Sequence, residues 1–384
     1  MPLTKSWAHR WVDIFGKDKQ TVTAPELAAL NGNAVQVLYV LGGLGAPTWY
    51  RMFQPAWNIN RHFSDKVNVT CSNVISADLF NNSFFDIIVC QRIYTKDPYS
   101  IVKKGQNPDI IYLHELDDDL FNLPSHNPCY KDFVANAGDK ILGDVLKRSQ
   151  GVLVSTPELG EAIRAYNTNT LVSANAIDYD LVCDFVKKDN DYEVPRIVLG
   201  WSGGHTHAAD LNLVVSAVAE ILAKYPNVDF HINGFTEYRG FDTLPEGRVV
   251  KKPWTKNILE HYENIAQFDI GICPLEDNVF NRGKSSLKYL ELAAMGTPAV
   301  ASNVVPYNKT IEHNKTGILV SDTGKAQQRW VEALSGLIES VELRKRLGKG
   351  GRGIIAGKYN QRSASERLVN HYIKLVNSKG RKKI

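Results

Sequence analysis

No apolar run in this chain approaches the ~20 residues needed to span a bilayer, which argues against an integral membrane protein. Cysteine is scarce: there are five, at positions 71, 90, 129, 183 and 273, with no C-x-x-C pair among them. A disulfide framework or a structural zinc site is therefore not expected, and a reducing cytoplasm is the setting that fits. The opening residues, MPLTKSWAHRWVDIFGKDKQ, lack the roughly 7–15-residue apolar core and small-residue cleavage site of a secretory signal, so none is expected. Charge of one sign is missing too. The 45 Lys and Arg stand against 41 Asp and Glu, and the net charge of +4 is too small by itself to indicate nucleic acid. That excess is uneven: residues 1–175 carry 16 basic against 17 acidic residues, and residues 176–384 carry 29 against 24. There is no short-period repeat and no low-complexity tract.

What remains is an ordinary globular composition, 43% hydrophobic and 22% charged over 384 residues, enough for two or three domains. β-Branched apolar runs alternate with helical patterns, which predicts an α/β protein with parallel sheets. In the first half the strands are expected at 34–41, 84–90, 108–114 and 151–155. The second half restarts the pattern with strands at 196–204, 228–234, 268–274 and 297–302, and one periodic helix over 210–225. The polar stretch KKDNDYEVP (187–195) reads as part of an interdomain linker. In such sheets small ligands sit beyond the carboxyl ends of the strands, here in the cleft between two domains.

The most informative segment is NRGKSSLKYLELAAMGTPAVAS (281–302): a polar loop, a helix and a buried strand. Lys284, Ser285 and Ser286 are expected at or near a helix N-terminus, where free N–H groups favour a phosphate. Lys288 and Glu291 lie four and seven positions past Lys284 and would share its face. A cation and hydroxyls at a helix start, with a carboxylate two turns on, suit a diphosphate and a ribose. A solvated Lys/Glu surface face is the plain alternative.

This segment resembles the donor-binding signature of retaining glycosyltransferases of the GT-B fold, especially family 4 and its relatives, in the run ELAAMGTPAVAS. VLVSTPELGEAI (152–163), NAID (175–178), ILGWSGGHTHAADLNLV and NKTGILV (314–320) extend the likeness, with weaker similarity at LGGLGAPTWYR (41–51) and HELDDDLFNLPSHNP (114–128). The resemblance implies two Rossmann-like domains with parallel sheets facing across a cleft. Residues 1–175 would form the acceptor side and 176–355 the nucleotide-sugar side. A last helix within 356–384 would cross back to the first domain and end in a basic tail. It assigns the donor ribose to Glu291. It also implies transfer from a nucleotide-diphosphate sugar to a hydroxyl acceptor with retention, domain closure over the site, and no bound metal. Two departures stand out. Gly283 occupies the place of the sugar-facing Glu, so Glu276 or Asp277 must supply that carboxylate if one is used. The expected Arg–Lys pair after the first strand of the second domain is absent, with His207 at the Lys position.

Other segments carry candidates. Gly42 and Gly43, in the turn after the first strand, let backbone approach a ligand, although the full dinucleotide pattern G-x-G-x-x-G is not present. His114 falls at the carboxyl end of a strand, where the resemblance implies contact with the donor sugar; Arg92 is similarly placed, with a salt-bridged structural role as its alternative. Asp117, Asp118 and Asp119 could bind a divalent ion, but an acidic run is more often a solvated cap. Gly203, Gly204, His205 and His207 form a turn suited to phosphate or sugar. A zinc site joining these histidines to His231 is the weaker reading. Trp254 is expected to line the nucleobase or simply to pack. The expected catalytic residues are therefore His114 and Lys284. The donor contacts are Gly42, Gly43, Gly203, Gly204, His205, His207, Trp254, Lys284, Ser285, Ser286 and Glu291. A glycan or glycolipid acceptor is favoured over a modified base in phage DNA. A nucleotide-sugar epimerase, a dinucleotide oxidoreductase and a non-catalytic binding module are the rival functions.

Overall fold

The computed structural model describes residues 33–380 apart from 44, 74, 82, 105, 106 and 256. The opening residues read for a secretory signal, and Arg381, Lys382 and Lys383 of the basic tail, lie outside the described residues. The chain divides into two compact units. An N-terminal unit holds residues 33–178, Gly283–Ser285 and the residues from Asn360 on. A C-terminal unit holds Tyr179–Arg282 and Ser286–Tyr359. Each is built on one six-stranded, wholly parallel sheet.

In the N-terminal unit the strands are β1 (Val35–Val40), β2 (Val67–Ser72), β3 (Ile87–Gln91), β4 (Ile111–Leu116), β5 (Gly151–Val154) and β6 (Thr170–Val172), in the order β2-β1-β3-β4-β5-β6. β1, β3 and β4 are buried at every position, because helices cover both faces of the sheet. On one face Leu368, Val369, Tyr372 and Val376 of the last helix, Gln361–Ser378, join the core of β1 and β3, and the Tyr372 and Tyr39 hydroxyls are 2.8 Å apart.

The C-terminal unit holds β7 (Ile197–Ser202), β8 (Val228–Asn233), β9 (Val249–Lys252), β10 (Ile270–Cys273), β11 (Ala299–Ser302) and β12 (Ile318–Val320), in the order β12-β11-β10-β7-β8-β9. Two readings change here. The helix expected over 210–225 is two helices, α1 (Ala208–Asn212) and α2 (Val215–Lys224), bent by 67°. α2 buries Ala217, Val218, Ile221 and Leu222, whereas α1 is turned so that Asp210 reaches the loop after β10. The stretch 187–195 belongs to the C-terminal unit: Tyr192 is buried, its carbonyl accepts from the Arg344 guanidinium at 2.6 Å, and Lys187 pairs with Asp269 at 3.2 Å. A buried aromatic and two anchored charges make it packed structure, not linker.

Among the described residues no single helix is long and apolar enough to cross a membrane. All five cysteines are free.

Candidate functional site

From β7 the chain of the C-terminal unit runs first to β8 and β9 on one side, then to β10, β11 and β12 on the other. β7 and β10 therefore flank a topological switch point, and the loops leaving their carboxyl ends splay apart to leave a crevice. Asp210, buried on α1, ties the two sides together. Its Oδ1 accepts the backbone N–H of Glu276 beyond β10 at 2.9 Å, and its Oδ2 lies 2.7 Å from His207 Nδ1 beyond β7.

Into this crevice comes the helix of the signature, α4 (Leu287–Ala294), following α3 (Ile258–Ala266) in the chain. Lys288 and Glu291 sit one turn apart on it, as the spacing predicts. Lys288 Nζ is 2.9 Å from His207 Nε2 and 6.0 Å from the centre of the Trp201 ring. An ammonium can only donate, so Nε2 accepts and the imidazole proton rests on Nδ1, facing Asp210. The result is a chain from Lys288 through His207 to Asp210. Burial alone would raise the Asp210 pKa. The hydrogen bond from His207 Nδ1, the Glu276 N–H and the charge of Lys288 outweigh it and hold the carboxyl below its ordinary range.

Glu291 is only 7% exposed, and its Oε1 lies 2.9 Å from His261 Nε2 on α3. Trp254, 48% exposed, places its ring centre 6.2 Å from that of His261. Gly234 makes room for it: φ is +97°, and a Cβ there would fall 2.4 Å from the Trp254 ring and 2.7 Å from the Gly203 carbonyl. Gly203 is itself constrained, since a Cβ would meet Trp201 and Lys288 at 2.7 and 3.0 Å, whereas Gly204 faces open space. His205 is exposed, with its ring 6.5 Å from Phe235. Gly203, Gly204, His207, Trp254, Lys288 and Glu291 thus gather around one crevice. Sequence reading missed His261 and Asp210. Only the H-T-H-A-A-D spacing hinted at Asp210, and nothing in the chain marks His261 as a partner of a residue 30 positions away.

The signature's loop behaves differently from expectation. The helix begins at Leu287 with Ser286 at its N-cap, so Lys284 precedes the helix and does not share the face of Lys288 and Glu291. The Ser286 hydroxyl is bound to Thr310 Oγ1 at 2.9 Å. Gly283–Ser285 groups with the N-terminal unit: Thr156 Oγ1 donates to the Gly283 carbonyl at 2.8 Å, Asn175 Nδ2 donates to Ser285 Oγ at 2.7 Å, and Lys284 Nζ donates to Asp118 Oδ1 at 2.8 Å.

The N-terminal unit has its own switch point, between β1 and β3. Gly42 N–H donates to Gln91 Oε1 at 3.3 Å, and the Gly43 carbonyl accepts from Thr48 Oγ1 at 2.8 Å. Gln91 in turn donates to Glu115 at 2.8 Å, and Arg51, on a π-helical turn (Trp49–Phe53), donates to Glu115 at 2.6 Å. This buried network holds the glycine turn against β3 and β4. His114 is fully buried on β4 with no hydrogen-bond partner at either ring nitrogen among the described residues, and burial pushes its pKa down to about 3. Arg92 bridges Asp117 and Asp118, and Asp119 accepts from Asn122. The acidic run is therefore held in ion pairs and a local hydrogen bond. Among the described residues no group of three His, Cys, Asp or Glu side chains is arranged to hold a metal ion.

Comparison with known proteins agrees with this arrangement. Residues 196–340 match the family described as "Glycosyl transferases group 1". No curated protein sequence matches the chain. The structure of Anabaena Alr3699/HepE in complex with UDP-glucose is similar with a TM-score of 0.65 at 12% identity, covering 88% of this chain and 99% of that one. A sucrose-phosphate synthase from Thermosynechococcus elongatus gives 0.63 at 12% identity, over 90% and 100% of the two chains. A putative UDP-N-acetylglucosamine 2-epimerase from Listeria monocytogenes gives 0.57 at 12%, over 91% and 98%. At such identities the likeness shows the fold. With its paired Rossmann-like units the chain has GT-B architecture, and its residues 196–340 match the group 1 glycosyltransferase domain.

Proposed function

We propose that the C-terminal unit binds a nucleoside-diphosphate sugar and that the chain transfers the sugar, with retention, to a hydroxyl of a glycan or glycolipid. The observation that carries this is the pairing on α4 of a carboxylate and an ammonium at the β7–β10 switch point. Glu291, held by His261, accepts hydrogen bonds from the ribose hydroxyls. Trp254 lies beside His261 and offers a flat apolar face to the base. Lys288, the His207 turn and the open backbone at Gly204 take the diphosphate. HepE, in complex with UDP-glucose, makes a uridine donor the first to try.

In the reaction the bond from the anomeric carbon to the diphosphate oxygen breaks, and its electron pair leaves with the diphosphate. The acceptor oxygen bonds to the same carbon and passes its proton to the departing diphosphate oxygen. Negative charge grows on the leaving phosphate, where Lys288 is already oriented by His207, so little reorganisation is needed as the charge develops. Glu276, beyond β10 and fixed by its N–H to Asp210, is the better replacement for the carboxylate missing at Gly283. Asp277 is more exposed and paired with Arg282 at 2.7 Å. Lys284 adds charge to the diphosphate only in exchange for its bond to Asp118. Gly42 and Gly43 belong to the sugar and acceptor side of this reading, whereas His114, fully buried on β4, has no side-chain surface to offer a ligand.

The test is nucleoside-diphosphate release from UDP-, GDP- and ADP-sugars in the presence of glycans, glycolipids or duplex DNA. Acceptor-dependent release with a glycan or glycolipid is expected. Conversion of the sugar without any acceptor would make the protein an epimerase. Release only with DNA would move the acceptor to nucleic acid, and no binding of any nucleoside diphosphate would overturn the donor site.

A further inference from the structure

A second cavity lies on the C-terminal unit at the amino ends of its strands. There the segment 183–192 meets α5 (Val341–Lys358) and the turn at Gly296 that leads into the amino end of β11, and together they line a space of about 400 Å³. One wall is a close backbone crossing. A Cβ on Gly348 would fall 2.0 Å from the Gly296 carbonyl oxygen, and Tyr192 donates its hydroxyl to that same oxygen at 2.7 Å. The wall is therefore rigid and specified by glycine.

The lining is strongly cationic. It includes Lys187, Lys188, Lys349 and Arg352 against a single carboxylate, Asp189. Lys187 is committed to Asp269 at 3.2 Å, and Lys349 to Asp189 at 2.9 Å. The ammonium of Lys188 and the guanidinium of Arg352 have no hydrogen-bond or ion-pair partner among the described residues. Two uncompensated positive charges thus face one concave space, with Val186 and Cys183 supplying apolar surface beside them. A guanidinium and an ammonium together match the charge and the oxygen geometry of a phosphate dianion. The volume is within the range of about 300–1,000 Å³ typical of small-molecule sites, larger than a bare ion requires.

We propose that this cavity is a binding site for a phosphate group carried on a larger body, either a soluble phosphate ester or a lipid headgroup. It is not the donor site. The donor residues follow the carboxyl ends of β7 and β10, whereas Gly296 precedes β11, and neither Lys288 nor Glu291 lines the cavity.

Calorimetric titration of inorganic phosphate and glycerol 3-phosphate into the full chain carrying Lys288→Ala, which weakens the donor site's own hold on phosphate, tests the proposal. Co-sedimentation with phosphatidylglycerol vesicles, against phosphatidylcholine vesicles, forms the second arm. Saturable binding in either arm is expected, weakened about tenfold or more by Lys188→Ala or by Arg352→Ala and lost in the double variant. Both side chains are exposed, so folding is preserved, and the double variant with Lys288 intact keeps its affinity for nucleoside diphosphate. Binding of the soluble ester assigns the site to a soluble ligand, and binding only to phosphatidylglycerol vesicles assigns it to a headgroup. Absence of saturable binding in both arms, or binding unchanged in the double variant, overturns the proposal. Unchanged nucleoside-diphosphate affinity in Lys288→Ala would overturn the donor reading without touching this one.

Discussion

His261 Nε2 lies 2.9 Å from Glu291 Oε1, across two helices 30 residues apart in the chain. A carboxylate only accepts, so the imidazole must carry its proton on Nε2, and one glutamate oxygen is thereby fixed. Glu291→Ala is expected to weaken nucleoside-diphosphate binding by roughly 10–150-fold, the worth of a charge-assisted hydrogen bond of about 1.5–3 kcal/mol. His261→Ala should weaken it less, and His261→Gln, which can still donate, should recover part of the loss. Calorimetry on the three variants decides. Equal and wild-type affinity in all of them would remove the ribose assignment.

The second prediction separates two lysines. Lys288 is oriented by His207 at the switch point, whereas Lys284 is bound to Asp118. Lys288→Ala should therefore cost more affinity for a nucleoside diphosphate than Lys284→Ala does, and should leave nucleoside binding nearly unchanged. Titrations of UDP and uridine against both variants measure it. The reverse ranking would place the diphosphate at the loop and not on the helix.

A third prediction concerns metal. Arg92 and Lys284 already occupy Asp117 and Asp118, and Lys288 supplies positive charge to the leaving group. Transfer should persist in the presence of a chelator. Activity lost to the chelator and restored by Mg²⁺ or Mn²⁺ would turn the acidic run into a metal site.

Stability should carry the signature of His114. Burial lowers its pKa to about 3 from an ordinary 6.5. Below pH 6.5 the unfolded chain binds a proton that the folded one refuses, so stability is full above 6.5 and falls as pH drops toward 3. The slope contributed is about 1.4 kcal/mol per pH unit. Denaturant unfolding at pH 7 and pH 5 should show a smaller decline in His114→Leu than in wild type. His231 and His371 are shifted in the same direction by burial, so the variant's decline does not vanish.

The alternation of apolar runs and helical patterns was enough to read the architecture, because buried parallel strands must be apolar on both faces and the helices between them must be apolar on one. β1, β3, β4, β5, β7, β8, β10 and β11 lie within the predicted runs, apart from the last residues of β3 and β4. β2 (VNVTCS), β6 (TLV) and β12 (ILV) were missed: all three are edge strands, β2 carries polar residues through its length, and β6 and β12 are only three residues long.

The site was legible in part. Lys288 and Glu291 share a face because helical spacing is local, and any sequence that forms α4 must place them so. Three relationships were decided by tertiary structure alone. Lys284 sits before the helix and bonds to Asp118, since the helix start depends on where the loop is held by Thr156 and Asn175. Asp210 faces Glu276 because α1 breaks away from α2, although periodicity runs unbroken through both. His261 meets Glu291 because two helices separated by β10 pack against the same sheet, and no local spacing encodes a contact made through a strand.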